Sequence, residues 1–386
     1  MNNIMIKKVL LLGGHIQALG LARELYDLKI PVVLFIEDGF SVARYSKCVN
    51  RVVVYGSIDK LFEAINVYSD TDSMLFPTAD NYINWIDNNR NKLENHFFLG
   101  LPSHENVARF AEKINTYSFA EQNNIPHPIT IHPNSLNEIE VISESLDYPI
   151  VVKPSVMYDF HEIFGKKAFR CDSKEDLINK CGEISKKLPI HSIILQEYLD
   201  GGAETLYSFG TFAKDGEPKA WIIANRIRQN PMEFGNSTTF AFSCNIPEIE
   251  RLARKILKLT NYTGLAEIEF MYDRKSYQYK FLEINTRAWK WHSISHCFGF
   301  GFLTEWVRCI NGLESTFSPI VEKKAWADRL TDFTIIIKET LKRKMDLRKA
   351  ICSYKVSKTY ATWSIKDPIP CIMYILQSPI LFIKRY

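Results

Sequence analysis

The chain has 386 residues, two to three times an average domain of roughly 150 residues, so a single small module is excluded. Hydrophobic residues make up 46% and charged residues 24%, an ordinary folded composition that sets aside disordered, collagenous and coiled-coil classes. The net charge of +4 gives no general reason to expect nucleic acid as a partner, yet it is unevenly placed: from Lys338 onward eleven Lys and Arg stand against three acids, so the preceding chain is net acidic.

The first hundred residues alternate strand and helix signals. VLLLGG leads into a helical stretch from His15 to Leu28, and PVVLFIE, RVVVYG and SMLFPTAD follow with a helix near Asp59 to Tyr68 between the last two. This alternation predicts parallel βαβ packing, an α/β layer. The turn Gly13-Gly14-His15-Ile16-Gln17-Ala18-Leu19-Gly20 sits where a dinucleotide-binding turn would, but its glycines do not read GxGxxG. A tight strand-to-helix turn is the plainer reading, and an NAD-dependent oxidoreductase the alternative it leaves.

A helical segment from Ala111 to Asn123 ends in the breaker cluster NNIPHP. Beyond it the pattern changes to a mixed, largely antiparallel α+β region. A strand from Tyr148 to Ser155 precedes FGKKAFR, a helix from Lys174 to Leu188 and the strand SIILQEYL; TLYSFGTFA and KAWIIANRI then join through Asp215-Gly216.

The most informative segment is TGLAEIEFMYDRKSYQYKFLEINTRAW. Its alternating runs, Leu265 to Tyr272 and Tyr277 to Asn285, predict a hairpin centred near Ser276, with Glu269 opposite Glu283 and Glu267 opposite Asn285. Carboxylates directly opposed across two strands repel unless something neutralises them, and a divalent cation with oxygen ligands does so. A solvated edge face is the alternative. Around the hairpin stand Lys113 before a helix, Lys153 ending VVKPS, Glu197 ending ILQEYL, Glu204, and Arg287 two residues beyond Asn285.

In this order of Lys, Lys, Glu, Glu and Glu-x-Asn-x-Arg the chain resembles the ATP-grasp superfamily of carboxylate-amine ligases up to about residue 315. Glu283-Ile284-Asn285-Thr286-Arg287 is similar to that family's metal motif, with Thr286 in place of the usual proline. The segments Asn225 to Gly235 and Arg287 to His292 resemble the D-aspartate ligase and carbamoyl-phosphate-synthase-like branch.

The resemblance implies a Rossmann-like pre-ATP-grasp domain (1–112), a two-lobed ATP-grasp fold (113–315, lobes 113–197 and 198–315) and a basic C-terminal extension (316–386). It implies ATP with Mg²⁺, or Mn²⁺ in its place, and an amide formed through an acyl phosphate with release of ADP and phosphate. Lys113 and Lys153 then match the phosphate-binding lysines. Glu197, Tyr198 and Leu199 match the adenine hinge, with Glu197 or Glu204 accepting from the ribose.

Glu269, Glu283 and Asn285 match the metal ligands, and Arg287 meets the transferred phosphoryl group. The phosphate-covering loop holds only Gly165, so Lys166 or Lys167 is the expected contact there, with a solvated charge pair as the alternative. Arg226 and Arg228, expected to share a strand face, are candidates for the substrate carboxylate or acyl phosphate, against ordinary surface charge. His292 and His296 have zinc-like spacing without a third ligand.

The expected substrates are a small-molecule carboxylate and an amine, one an amino acid, in modification of a cell-wall or surface-polysaccharide precursor that is lipid-linked or nucleotide-linked. Nucleic acid is not expected; oligomer formation stays open. A non-catalytic scaffold with the grasp fold is the remaining rival.

Eight scattered cysteines and the lack of a signal-like start fit a reduced cytoplasmic chain. The apolar run Ile369 to Ile383 contains Pro370, Gln377 and Pro379 and is too short and broken to span a bilayer. Lys342, Arg343, Lys344, Arg348 and Lys349 are expected on one helix, and with the tail ending in Lys384-Arg385 they suggest peripheral contact with the inner membrane face; a tail packed on the protein's own core is the alternative.

Overall fold

The computed structural model describes residues 5–155, 158–232, 235, 237–320, 322–356 and 358–383. Lys384 and Arg385, and Glu233 and Phe234 within the segment from Asn225 to Gly235, lie outside the described residues.

Three sheets form the fold. The first is parallel in the order β3-β2-β1-β4-β5, built from β1 Lys8–Leu12, β2 Val32–Ile36, β3 Arg51–Val54, β4 Ser73–Pro77 and β5 Phe98–Leu99. The apolar runs of β1, β2 and β4 are almost wholly buried, as strands covered on both faces require. The second, in the order β6-β9-β7-β8, is small and antiparallel: β6 Thr130–Ile131, β7 Ile150–Pro154, β8 Phe169–Cys171 and β9 Ile193–Glu197.

The third has the order β14-β13-β10-β11-β12-β15-β16. Its strands are β10 Leu206–Lys214, β11 Glu217–Asn230, β12 Ser237–Cys244, β13 Gly264–Asp273, β14 Gln278–Asn285, β15 Ala325–Ala327 and β16 Lys358–Tyr360. Helix Pro247–Leu259 lays Ile249, Leu252, Ala253, Ile256 and Leu257 on one face, over Phe209, Ile268, Phe281 and Ile284. The opposite face shares a core with the first sheet, from Val9 and Leu11 through Trp289, Trp291 and Trp306 to Trp326.

Several local expectations change. The helix expected from Ala111 to Asn123 runs Lys113–Gln122, and a separate helix, His104–Ala111, precedes it, the two divided by the extended Glu112. Residues 316–386 are not an appendage: β15 and β16 extend the large sheet, and Asp367 accepts from Arg23 and Ser46 of the first layer at 3.0 and 2.6 Å. Lys342, Arg343 and Lys344 do not share a helix with Arg348 and Lys349. Helix Arg329–Leu341 stops before them, Arg343 takes φ 58°, and Asp346 caps a new helix, Leu347–Ser353.

The run Ile369–Ile383 does form a continuous helix, and no helix among the described residues is long and apolar enough to cross a membrane.

Candidate active site

The hairpin pairs Glu267 with Asn285 and Glu269 with Glu283, and the register slips by one just beyond, between Glu269 and Phe270. Ile268 and Ile284 face the core under helix Pro247–Leu259, which turns the acids to the opposite side. There Arg226 of β11 reaches over, its Nη1 2.5 Å from Glu269 Oε1 and 3.9 Å from Glu267 Oε1. Asn285 Nδ2 donates to Glu267 Oε2 at 3.1 Å and to Glu269 Oε1 at 3.0 Å, and Trp291 Nε1 donates to Glu267 Oε1 at 2.6 Å. Trp289 beside it closes onto Gly210 of β10, where a Cβ would stand 2.1 Å from the indole, so only glycine admits this packing.

Glu267 and Glu269 thus share one guanidinium, with the charge of Glu283 acting on it from farther away. Burial, with the charges of Glu267 and Glu283, pushes the Glu269 carboxyl above its ordinary range despite Arg226.

Ammonium groups approach from the other side. Lys113 is the first residue of its helix rather than a residue ahead of it, and its Nζ lies 4.0 Å from Glu283 Oε2. Lys153 on β7 sits over the Tyr117 ring at 5.6 Å and donates to its hydroxyl at 3.4 Å. Burial pulls Lys153 down to about 8, with Glu283 opposing.

Lys167 Nζ is buried and, among the described residues, has no hydrogen-bond partner; burial lowers its pKa, with Glu283 again opposing. Its neighbour Lys166 is exposed and lies over Phe169.

Surplus carboxylate thus faces under-partnered ammonium. The donor set fits a divalent cation: Glu269, Glu283 and the Asn285 amide oxygen could hold one, and Lys113, Lys153 and Lys167 could meet phosphate. Among the described residues no three His, Cys, Asp or Glu side chains converge as a closed cage, and Mg²⁺ held through two carboxylates and substrate phosphates requires none.

Other expected residues are placed differently. Arg287 forks onto Asp80, with Nε 2.6 Å from Oδ1 and Nη2 2.8 Å from Oδ2, so the first sheet's β4 loop reaches the site. Glu197 ends β9, but its carboxylate accepts from Lys280 Nζ at 2.8 and 2.7 Å and from the Ile129 amide at 3.1 Å. Glu204, by contrast, is largely exposed and lies 3.4 Å from Arg274 Nη2. Tyr198 and Leu199 follow at the crossing between the two later sheets, Leu199 buried and Tyr198 under the Arg170 guanidinium at 4.4 Å.

Arg228 is not with Arg226. The β11–β12 register shifts between Asn225 and Arg228, and Arg228 bonds both oxygens of Asp332 at 2.8 Å. The expectation of a shared face fails because this irregularity breaks the period of two. His292 and His296 both turn to the buried Glu24 of helix Ile16–Asp27, at 3.0 and 3.5 Å. Burial would raise the Glu24 carboxyl, but the two imidazoles hold it down to about 2. Gly20 lies against His292, and the close approach of that turn serves packing.

Sequence reasoning missed Asp80, Tyr117 and Lys280. Asp80 could have been suspected, since it follows a buried parallel strand at the edge where α/β layers carry function.

Residues 112–314 match the family described as carbamoyl-phosphate synthase L chain, ATP binding domain, which is more than half of the chain. The chain belongs to this family, within the ATP-grasp superfamily of ATP-dependent carboxylate-amine ligases. A D-aspartate ligase of Enterococcus faecium is 24% identical over 301 residues, covering 72% of this chain and 70% of that protein. The C-terminal section of the carbamoyl phosphate synthase large chain of Methanopyrus kandleri is 25% identical over 189 residues, 48% of this chain and 34% of that protein.

Among solved structures, biotin carboxylase of Campylobacter jejuni gives a TM-score of 0.68 at 14% identity, covering 84% of this chain and 76% of its own. N5-carboxyaminoimidazole synthetase of Staphylococcus aureus gives 0.65 at 12%, covering 84% and 83%. These two likenesses concern the fold.

Proposed function

We propose that this ligase joins an amino acid, as the amine, to a carboxylate of a cell-wall or surface-polysaccharide precursor, carried on a lipid or a nucleotide, at the cytoplasmic side. The observation that carries the catalytic reading is the acidic hairpin face opposite Lys113, Lys153 and Lys167, of which Lys167 Nζ is buried with no hydrogen-bond partner among the described residues. The choice of an amino acid is supported by the likeness to the D-aspartate ligase across most of this chain.

In this reading the substrate carboxylate attacks the γ-phosphate of ATP, ADP leaves, and the amine displaces phosphate from the acyl phosphate to give the amide. Mg²⁺ would supply charge neutralisation between the phosphates. Glu269, Glu283 and Asn285 would hold it. Lys113, Lys153 and Lys167 would bind phosphate oxygens, and phosphate would favour the charged forms of Lys153 and Lys167, which burial disfavours.

Arg226 and Arg287 would meet the transferred phosphoryl group or the acyl oxygen, Arg287 oriented by Asp80. Tyr198 and Leu199 would flank the adenine, and Glu204 would take the ribose hydroxyls, since Lys280 and the Ile129 amide engage Glu197. Arg228 has no part in it. The boundaries 1–112, 113–315 and 316–386 serve as the working division of the chain.

The test is ADP release screened over amino acids against carboxylates, followed by product mass. The expected result is one amino acid and one carboxylate that together raise turnover and give a product heavier by their amide. Turnover that needs no amine, or Mg-ATP binding without turnover under any pair, refutes the reading, the latter in favour of a scaffold. Stabilisation by dinucleotide alone would support the oxidoreductase alternative.

A further inference from the structure

Helix Arg329–Leu341 is amphipathic the wrong way round for a helix that faces water. Its inner side holds Asp332 and Glu339 together with Ile335 and Ile336, while Phe333, Ile337 and Leu341 stand on successive outer turns, 64%, 49% and 79% exposed. The short helix Leu347–Ser353 repeats the pattern with Leu347 and Ile351, 46% and 60% exposed. Single exposed apolar residues are ordinary, but five at helical spacing on two consecutive helices form an organised face.

The inner polar groups have internal reasons to be there. Asp332 accepts from Arg228, Thr239 and Tyr354, and Glu339 pairs with Lys342. Among the described residues no comparable contact accounts for the outer apolar ones.

The charge around the face identifies its occupant. Lys338, Lys342, Arg343, Lys344, Arg348 and Lys349 are all exposed in this segment, and the one exposed acid among them, Asp346, is engaged in capping the second helix. A two-fold dimer through this face would set the same cations against each other. A surface with dense negative charge over apolar depth is complementary to it.

We propose that these two helices dock the enzyme on an anionic lipid surface, with Phe333, Ile337, Leu341, Leu347 and Ile351 entering the headgroup boundary and the basic residues meeting lipid phosphates. The face is rigidly tied to the catalytic sheet, because Arg228 of β11 also donates to Ser353 Oγ at 3.1 Å and Tyr354 donates to Asp332 Oδ2 at 2.6 Å. The tail helix exposes Ile369, Ile372, Ile375 and Leu376 as well, but it carries no Lys or Arg, so exposed apolar and basic groups coincide on the two earlier helices. The tail helix Ile369–Ile383 is held to the first layer, with Tyr374 against the shared core and Gln377 donating to Tyr45 at 2.9 Å.

Co-sedimentation of the full chain with vesicles of phosphatidylcholine alone, or mixed with phosphatidylglycerol, tests this without reference to which amide is made. The full chain should pellet with the anionic vesicles only, and less as salt rises. Ile337→Ser/Leu341→Ser and Lys342→Glu/Lys344→Glu should each weaken partition about tenfold or more. Both should keep the Mg-ATP thermal shift of the parent, and either variant alone decides the matter.

Absence of pelleting with anionic vesicles, or pelleting that the substitutions leave unchanged, overturns the proposal. So does a dimer in sedimentation velocity that Ile337→Ser/Leu341→Ser dissociates, which would give the face to a second copy, or tight capture of an acidic protein without lipid binding. None of these outcomes bears on the ADP-release screen.

Discussion

Arg226 and Arg228 lie two residues apart on β11, both buried and both against carboxylates, yet their surroundings are opposites. Around Arg228 the accounts of charge and hydrogen bonding close. Asp332 takes a two-pronged bond from it and further bonds from Thr239 and Tyr354, and the guanidinium lies 4.2 Å over Phe240. Around Arg226 they do not: Glu267 and Glu269 share it, its Nε has no partner among the described residues, and Glu269 is held away from its ordinary titration range. A saturated buried ion pair is architecture, whereas one left with surplus charge of both signs nearby is built for something that arrives later.

The largest expected effect is on chemistry. Glu283→Gln should lower ADP release by about a thousandfold or more while the circular dichroism melt stays near that of the parent. Normal turnover in that variant would remove the metal role from the hairpin.

Next, Arg228→Met should cost about 3–5 kcal/mol of stability in urea unfolding, because Asp332 is left buried without its cation. The fraction still folded should turn over normally. Arg226→Met should invert the pattern, with a large loss of kcat and a smaller loss of stability, since the crowded carboxylates can take up a proton. Equal effects at the two positions would erase the contrast.

A smaller effect concerns the apo protein. The Glu269 carboxyl titrates higher when folded than its ordinary 4.5, near 7, so its ionised form opposes folding and the cost grows as pH rises through that interval. In EDTA, Glu269→Gln should therefore be more stable than the parent by about 1–3 kcal/mol at about pH 8, with the gap closing toward about pH 5. A gap independent of pH would contradict the assignment of repulsion.

Smallest is the nucleotide term. Lys153 loses its proton near 8 when folded rather than at 10.5, so Mg-ATP affinity measured by calorimetry should weaken about tenfold by about pH 9. Lys153→Arg should flatten that dependence.

The acidic face was legible in the sequence because a hairpin confines its partners to a few residues, so alternation and a tight turn set which side chains oppose. The βαβ order of the first layer was legible for a similar reason. What escaped was long-range: Asp80 meets Arg287 across 207 positions and Arg228 meets Asp332 across 104, distances at which no local periodicity speaks. The bulge on β11 escaped too, because an inserted residue leaves no compositional mark in a run such as NRIRQNP. The engagement of Glu197 by Lys280 escaped as well, because Lys280 looks in sequence like any outward strand lysine.

The buried carboxylate of Glu24 has a consequence for how such an enzyme can be re-engineered. From one helix of the first layer it receives the His292 imidazole and the Leu303 amide, and so anchors the stretch of chain that follows Arg287. Together with Asp80 on Arg287, this makes the amino-terminal layer a template on which the catalytic loop is cast, rather than a cassette clipped to it. Grafting that layer from a relative to alter specificity should therefore yield misfolded or idle chimeras unless the donor brings acids at both positions, and grafts that keep Glu24 and Asp80 are the ones expected to retain turnover.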